Sequence, residues 1–122
     1  MTDSMNKSTD SRLIASGRVE GVSVYTRQGE KLGTIKDIYI DKRSGRAEFA
    51  SVGSGGFLGA GENYRPVPWQ VLDYDAQKDG FVVDLDRTSL EKAPAYSKDQ
   101  LYGPDTAWTS RVSGYYNATA RA

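Results

Sequence analysis

The stretch SVGSGGFLGAGENYRPVPWQVL, residues 51–72, decides how this chain folds, because a run of glycines leads directly into a Pro-Val-Pro-Trp segment. Glycine-rich segments of this kind either cradle a phosphate or turn the chain between two strands. A dinucleotide-binding fingerprint needs glycines at i, i+2 and i+5 at the start of a helix. Counting from Gly53 the last position holds Leu58, and counting from Gly59 it holds Tyr64, so the fingerprint fails.

The residues that end the glycine run also exclude a P-loop. That motif requires Gly-Lys-Ser or Gly-Lys-Thr before a helix, whereas Gly61 precedes Glu62. Pro66 and Pro68 follow too soon for a helix to form. The stretch therefore predicts a hairpin loop that joins two strands.

The tip of this loop carries two apolar residues, Phe57 and Leu58. Because a loop tip is normally solvated, these side chains either fold back over the mouth of a barrel or contact a partner. The second alternative makes both of them candidate partner-binding residues.

Short strands separated by Gly-rich or Asp-rich turns flank the loop on both sides. The strands are predicted at residues 22–25, 31–41, 46–53, 63–68, 73–75 and 81–86. Gly33 predicts a bulge in the second strand, and residues 69–72 predict one helical turn. Thr88 is predicted to cap a short helix over residues 88–92, with Glu91 as its reciprocal partner. This pattern indicates an all-β fold, a small six-stranded antiparallel barrel.

The acidic residues near the last strand do not form a calcium loop. Asp73 and Asp75 begin a run of alternating acids, but Gln77 and Lys78 stand where a third acid and a glycine are required. Asp84 and Asp86 are predicted to lie on the solvated face of the last strand. No metal site is expected from these groups.

Composition excludes several kinds of chemistry. The chain has 122 residues with 16 basic and 16 acidic side chains, and it has no cysteine and no histidine. Ser-His-Asp and Cys-His catalysis and thiolate metal sites are therefore impossible within this chain. A neutral chain also lacks the basic excess that phosphate backbones attract, which disfavours binding of nucleic acid. We expect no cofactor and no catalytic residues, the remaining enzymatic alternative being a site at the barrel mouth near Glu62, Tyr64 and Arg65.

The two ends of the chain differ from its middle. Residues 1–16 are polar and predict a flexible leader before a barrel domain over residues 17–96. The polar tail, residues 97–122, contains four aromatic residues without a clean period and is expected to be partly ordered. Tyr102 or Trp108 is expected to dock on the barrel or on a second subunit.

No apolar run is long enough to cross a bilayer and no signal peptide is present, so we expect a cytoplasmic protein without membrane insertion.

Short motifs spread between residues 17 and 96 form a recognisable set. They are Gly-Val-x-Val-Tyr, Gly29-Glu30-Lys31-Leu32-Gly33, Ile38-Tyr39-Ile40-Asp41, Gly45-Arg46, Gly55-Gly56-Phe57-Leu58-Gly59, Val67-Pro68-Trp69 and Ala93-Pro94-Ala95-Tyr96. This set resembles the PRC-barrel domain, and the run from Gly-Gly-Phe-Leu-Gly to Val-Pro-Trp is its most specific part.

The resemblance implies a small six-stranded barrel that acts as a binding module, with no agreed catalytic residues or cofactor. The family includes the cytoplasmic part of the H subunit of photosynthetic reaction centres, the C-terminal module of a ribosome maturation factor, and short free-standing proteins. The chain lacks the membrane helix of the first and the additional domain of the second, so it is most similar to the free-standing members.

Together these observations predict a non-catalytic protein-interaction barrel of the bacterial cytoplasm, expected to form a homodimer and to bind a protein partner. The alternative is a binding module associated with the ribosome or with RNA processing. The predicted partner-binding residues are Phe57, Leu58, Tyr64, Trp69 and Trp108.

Overall fold

The computed structural model describes residues 13–53 and 63–121. Six strands lie in this part of the chain, and each corresponds to a predicted strand, the fifth with the predicted ends and the others with ends moved by up to three residues. They are β1 (Ser23–Thr26), β2 (Lys31–Ile40), β3 (Ala47–Gly53), β4 (Tyr64–Pro68), β5 (Asp73–Asp75) and β6 (Gly80–Val83). The predicted helical turn is a 3₁₀ turn, Trp69–Val71, between β4 and β5.

The strands form one mixed sheet in the order β4-β3-β2-β1-β6-β5. The prediction of an antiparallel barrel is therefore only partly confirmed. β1 and β6 run parallel, with Val24 opposite Phe81 and Thr26 opposite Val83, while the other neighbours are antiparallel. In the described part of the chain no ladder joins β4 to β5, so the sheet is not closed by hydrogen bonds. The 3₁₀ turn and Leu72 connect these two edge strands covalently.

The last strand is shorter than predicted, and both of its faces are covered. All four residues of β6 are buried, so the alternation of the sequence does not separate a solvated face from a core face. Asp84 and Asp86, predicted on the outer face of this strand, lie beyond its end. Asp84 pairs with Arg27 at 3.3 Å, and Asp86 caps the following helix.

The predicted bulge in β2 is confirmed. Val24 faces Gly33, whereas the next residue, Tyr25, faces Lys31, so the register skips Leu32. The extra residue bends β2 as a curled sheet requires. The two turns predicted at Gly29 and Gly45 are also present. These glycines adopt φ of 95° and 77°, where a residue with a side chain would be strained.

Four helices flank the sheet within residues 13–53 and 63–121: α1 (Ser16–Val19), α2 (Arg87–Glu91), α3 (Lys98–Tyr102) and α4 (Trp108–Arg121). The predicted cap of α2 was wrong, because Asp86 and not Thr88 accepts the hydrogen bond from the Ser89 amide, at 2.8 Å. A carboxylate two residues earlier offers the stronger cap. The reciprocal capping box occurs instead at α3, between Ser97 and Gln100.

The tail is more regular than its sequence suggested. Trp108, Val112, Tyr115 and Tyr116 fall at i, i+4, i+7 and i+8, which is the period of an amphipathic helix. α4 packs this stripe against the core of the sheet, so the inference of an aperiodic tail was wrong for residues 108–116. The predicted leader lies largely outside the described residues.

The core fills the inner face of the sheet and continues under the helices. Its most deeply buried side chains include Val19, Val24, Ile35, Val52, Val67, Val83 and Val112. Val112 of α4 is as inaccessible as Ile35 of β2, so the tail and the barrel share one core. Within the described ranges no helix is long and apolar enough to cross a membrane.

The parallel junction between β1 and β6 generates a prediction about Gly80. A Cβ atom at this position would lie 2.7 Å from the Ser23 carbonyl oxygen and 3.0 Å from the Tyr25 ring. Gly80→Ala should therefore lower the free energy of unfolding by about 1–3 kcal/mol, measured by urea denaturation. Gly17→Ala is the matched control, since nothing lies within 4 Å of its Cβ position. Equal denaturation midpoints for the two variants would contradict the close approach of β1 and β6.

The contact between α3 and β2 predicts a titration. The Tyr102 hydroxyl donates to Asp37 Oδ2 at 2.7 Å, and this hydrogen bond, with the carboxylate charge, raises the pKa of Tyr102 to about 12. Because the folded pKa exceeds the unfolded value, the contact stabilises the fold below pH 10 and is lost as the pH rises towards 12. The phenolate absorbance of the wild type minus that of Tyr102→Phe should report this late ionisation. A difference curve centred near pH 10 would show that the contact is absent in solution.

Candidate protein-interaction surface

Trp69 occupies the corner between the two edge strands. It is the first residue of the 3₁₀ turn, which begins because Pro68 is extended and cannot donate a ladder hydrogen bond. Its ring packs edge to face on Phe81 of β6, with centroids 5.7 Å apart. The residue as a whole is half-exposed, so this tryptophan is both anchored and accessible.

A cleft of about 200 Å³ opens beside Trp69. We call it the Trp69 cleft, and it is formed where β3, the 3₁₀ turn and α4 meet. Its lining residues are Arg46, Ala47, Glu48, Phe49, Pro68, Trp69, Gln70 and Ser113. Two half-buried aromatic rings thus lie beside one cationic and one anionic side chain. Aromatic residues and arginine are the residues that most often carry binding energy at protein interfaces.

Trp108, the other predicted tryptophan, is in the interior. It is only 5% exposed, and its ring packs edge to face on Tyr39 and Phe49 at centroid distances of 5.3 and 5.2 Å. Of the two predicted ways for the tail aromatics to dock, the structure shows the contact with the chain's own barrel. A buried indole leaves no surface for a partner, so the interpretation of Trp108 as a partner-binding residue is corrected.

Tyr64 is half-buried at the free edge of β4. Its amide and carbonyl exchange hydrogen bonds of 2.8 and 2.9 Å with Tyr96, which covers this end of the edge strand. Among the other predicted residues, Phe57 and Leu58 lie outside the described residues. The structure does not bring the remaining three into one site: Trp69 lines the cleft, Tyr64 lies at the edge and Trp108 lies beneath α4.

The alternative site at the barrel mouth has no catalytic geometry in the described residues. Glu62 lies outside them, and Arg65 Nη2 donates to the Glu91 carbonyl oxygen at 3.3 Å. Asp75 accepts hydrogen bonds from the Gln77 and Lys78 amides and so shapes a turn. In residues 13–53 and 63–121 no group of three or more acidic side chains is arranged to hold a metal ion.

Sequence reasoning missed the polar and charged part of the Trp69 cleft. Arg46 follows a turn, and Glu48 is an exposed residue of β3. Nothing in the sequence connects either of them to Trp69 or to Ser113. The connection arises from the pairing of β3 with β4, where Phe49 lies opposite Pro68. For Ser113 alone a sequence signal was available, because the helical period of α4 places this residue beside the buried stripe.

Comparison with known proteins agrees with this architecture. A search among curated proteins found no match. Residues 12–90, which contain the six strands described above, match the PRC-barrel domain, a family of protein-interaction modules. The chain belongs to the PRC-barrel domain family.

Proposed function

We propose that this protein is a non-catalytic protein-interaction module that binds a polypeptide partner at the Trp69 cleft. The observation that carries this proposal is that the half-buried rings of Trp69 and Phe49 line the cleft together with the charged residues Arg46 and Glu48. Trp69 is held by Phe81, so little side-chain freedom is lost when a partner covers it. Membership of the PRC-barrel family supports the same general role.

The cleft's chemistry describes the segment that would fit it. An apolar side chain of the partner would contact the two rings, and flanking polar or charged groups would face Arg46 and Glu48. The opposite charges of these two residues would fix the direction of the bound segment. Because the whole chain is neutral, this recognition depends on local contacts rather than on long-range attraction to phosphates.

The residues Phe57 and Leu58 extend the proposal to a second surface. As apolar residues in a glycine-rich stretch they are proposed to contact the same or another protein partner. We further propose that the protein acts in the cytoplasm as a homodimer. A domain of this size buries a modest core, which a subunit contact would supplement.

The cleft proposal predicts different effects for two aromatic substitutions. Trp69 and Tyr74 both pack edge to face on Phe81, at 5.7 and 5.6 Å, but only Trp69 lines the cleft. Trp69→Ala should weaken partner binding roughly 30-fold or more, because truncating an aromatic anchor costs about 2 kcal/mol or more. Tyr74→Ala should bind as the wild type does. The measurement is quantitative mass spectrometry of proteins captured from the native host by the three baits, followed by titration of the purified partner.

Circular dichroism of both variants verifies that each retains its fold. Partners captured equally by all three baits would show that the cleft is not the binding surface. Raising the salt concentration separates the RNA-associated alternative, because contacts to phosphates weaken steeply with salt whereas an aromatic anchor does not.

The proposed homodimer is tested by a separate experiment. Sedimentation equilibrium over a range of concentrations should show a mass twice that of the chain, with dissociation on dilution. A single-chain mass at the highest concentration would contradict the dimer and would leave the cleft proposal intact.

A further inference from the structure

Three buried polar atoms in the described residues have no hydrogen-bond partner: Arg65 Nε, Trp108 Nε1 and the Tyr116 hydroxyl. All three lie where α4 packs against the sheet, with Tyr116 near Arg65 and Trp108 against Tyr39 and Phe49. Trp108 and Tyr116 lie on the buried stripe of α4, and Arg65 lies on β4. Since nearly all buried polar groups in proteins are paired, their concentration at one interface marks a local mismatch.

The three atoms share one chemical property, because each carries a hydrogen that it can donate. An arginine Nε and an indole Nε1 are donors only, and the buried phenol of Tyr116 is held protonated because burial raises its pKa. The charge of Arg65 opposes that rise, which places the guanidinium near the phenol. These three donors therefore lack acceptors, although other polar groups of α4 are paired, since Tyr115 donates to the Ser89 carbonyl oxygen and Arg111 Nε to the Tyr96 hydroxyl.

The surface that α4 covers is called the aromatic groove here and consists of the rings of Tyr39, Phe49 and Tyr96 and, near Tyr116, the guanidinium of Arg65. Trp108 inserts among its three rings, at centroid distances of 5.3, 5.2 and 6.3 Å. The groove thus accepts a helix with large apolar residues at i, i+4 and i+8, which in α4 are Trp108, Val112 and Tyr116.

α4 has low intrinsic helix propensity at several exposed positions. Gly114 lies exposed in its middle and has no neighbour within 4 Å of its Cβ position, so it contributes neither packing nor helix propensity. The other exposed or partly exposed positions include Thr109, Ser110, Ser113 and Asn117, all of which favour the helix less than alanine. Residues 103–107, which contain Pro104, separate α4 from α3, and the family match ends before both helices.

We propose that α4 is a displaceable cover, and that the aromatic groove binds an amphipathic helix of a partner protein that presents a carboxylate where α4 presents Tyr116. This inference rests on the proposed function, since it assumes that the module binds polypeptides. A carboxylate accepts several hydrogen bonds, so it supplies the acceptor that Arg65 Nε lacks and forms a charge-assisted contact. α4 packs its apolar stripe into the groove but leaves three donors without acceptors, so a helix that supplies an acceptor there could replace it.

Displacement would also change the Trp69 cleft. Ser113 of α4 lines that cleft, and Phe49 lines both the cleft and the groove. When α4 leaves, the cleft and the groove become one continuous surface across β3 and β4. The partner helix is therefore expected to lie along the surface that α4 occupies in the unbound protein.

The probe is a fluorescein-labelled peptide of residues 106–122, in its natural sequence and with Tyr116→Glu, added to the full-length protein. Gly114 supplies a matched pair of protein variants, because it is exposed and touches no groove residue. Gly114→Ala strengthens α4 and Gly114→Pro breaks it. Fluorescence anisotropy gives the affinity, and hydrogen exchange of α4 gives its opening in the unbound protein.

Five results are expected. The α4 amides exchange faster than those of β2 and β3. Gly114→Ala weakens peptide binding by about two- to five-fold, and Gly114→Pro strengthens it by up to the order of 100-fold. The Tyr116→Glu peptide binds about tenfold more tightly than the natural peptide, and this gain disappears in Arg65→Met.

Peptide affinities that are equal for Gly114→Ala and Gly114→Pro would overturn the displaceable cover. So would α4 amides that exchange only together with those of β2 and β3. A Tyr116→Glu peptide that binds no better than the natural one would overturn the proposed contact between a partner carboxylate and Arg65. A chain that is dimeric and that the peptide converts to monomers would identify the occupant as α4 of a second copy and overturn the foreign helix. The peptide measurement needs no native partner, so it tests the displaceable cover separately from the Trp69 cleft. Either proposal can fail in its own experiment while the other is supported.

Discussion

The structure depends first on the insertion of β6 between β1 and β5, parallel to β1. This pairing brings the end of the strand region back to its beginning and buries all four residues of β6. It requires Gly80, whose lack of a side chain lets β6 approach the Ser23 carbonyl. Once β6 is in place, β4 and β5 are left as the edges of the sheet, and the 3₁₀ turn must connect them. The position of Trp69 at this corner follows from that constraint.

The edge strands explain the additions to the sheet. An open sheet with two free edges tends to pair with other chains. β4 carries Pro66 and Pro68, is bridged by Tyr96 at one end and packs against α4. β5 is three residues long and carries Asp73 and Asp75. Prolines, short length and charge each discourage further pairing, so interaction through side-chain surfaces is favoured over addition of a strand.

The sequence predicted what is local and failed where the fold is decided by distant pairing. Turn glycines, the bulge at Gly33 and the six strands follow from neighbouring residues. The parallel direction of β6 does not, because the same alternation serves either direction. Trp69 was recognised from the Val-Pro-Trp segment, but Arg46 and Glu48 join it only through the register of β3 with β4. Trp108 was recognised as important and misplaced, although the spacing of Trp108, Val112 and Tyr116 already described a helix with one apolar face.

The two proposed surfaces are physically linked because they share residues. Phe49 packs against Trp108 and lines the Trp69 cleft, and Ser113 forms a wall of that cleft only while α4 is docked. A ligand that uses this wall therefore stabilises the docked helix, whereas a helix in the aromatic groove removes the wall. By linkage each ligand must weaken the other by the same factor. A small interaction module would in this way choose between two partners, with the docking of α4 and its unpaired donors setting the balance between them.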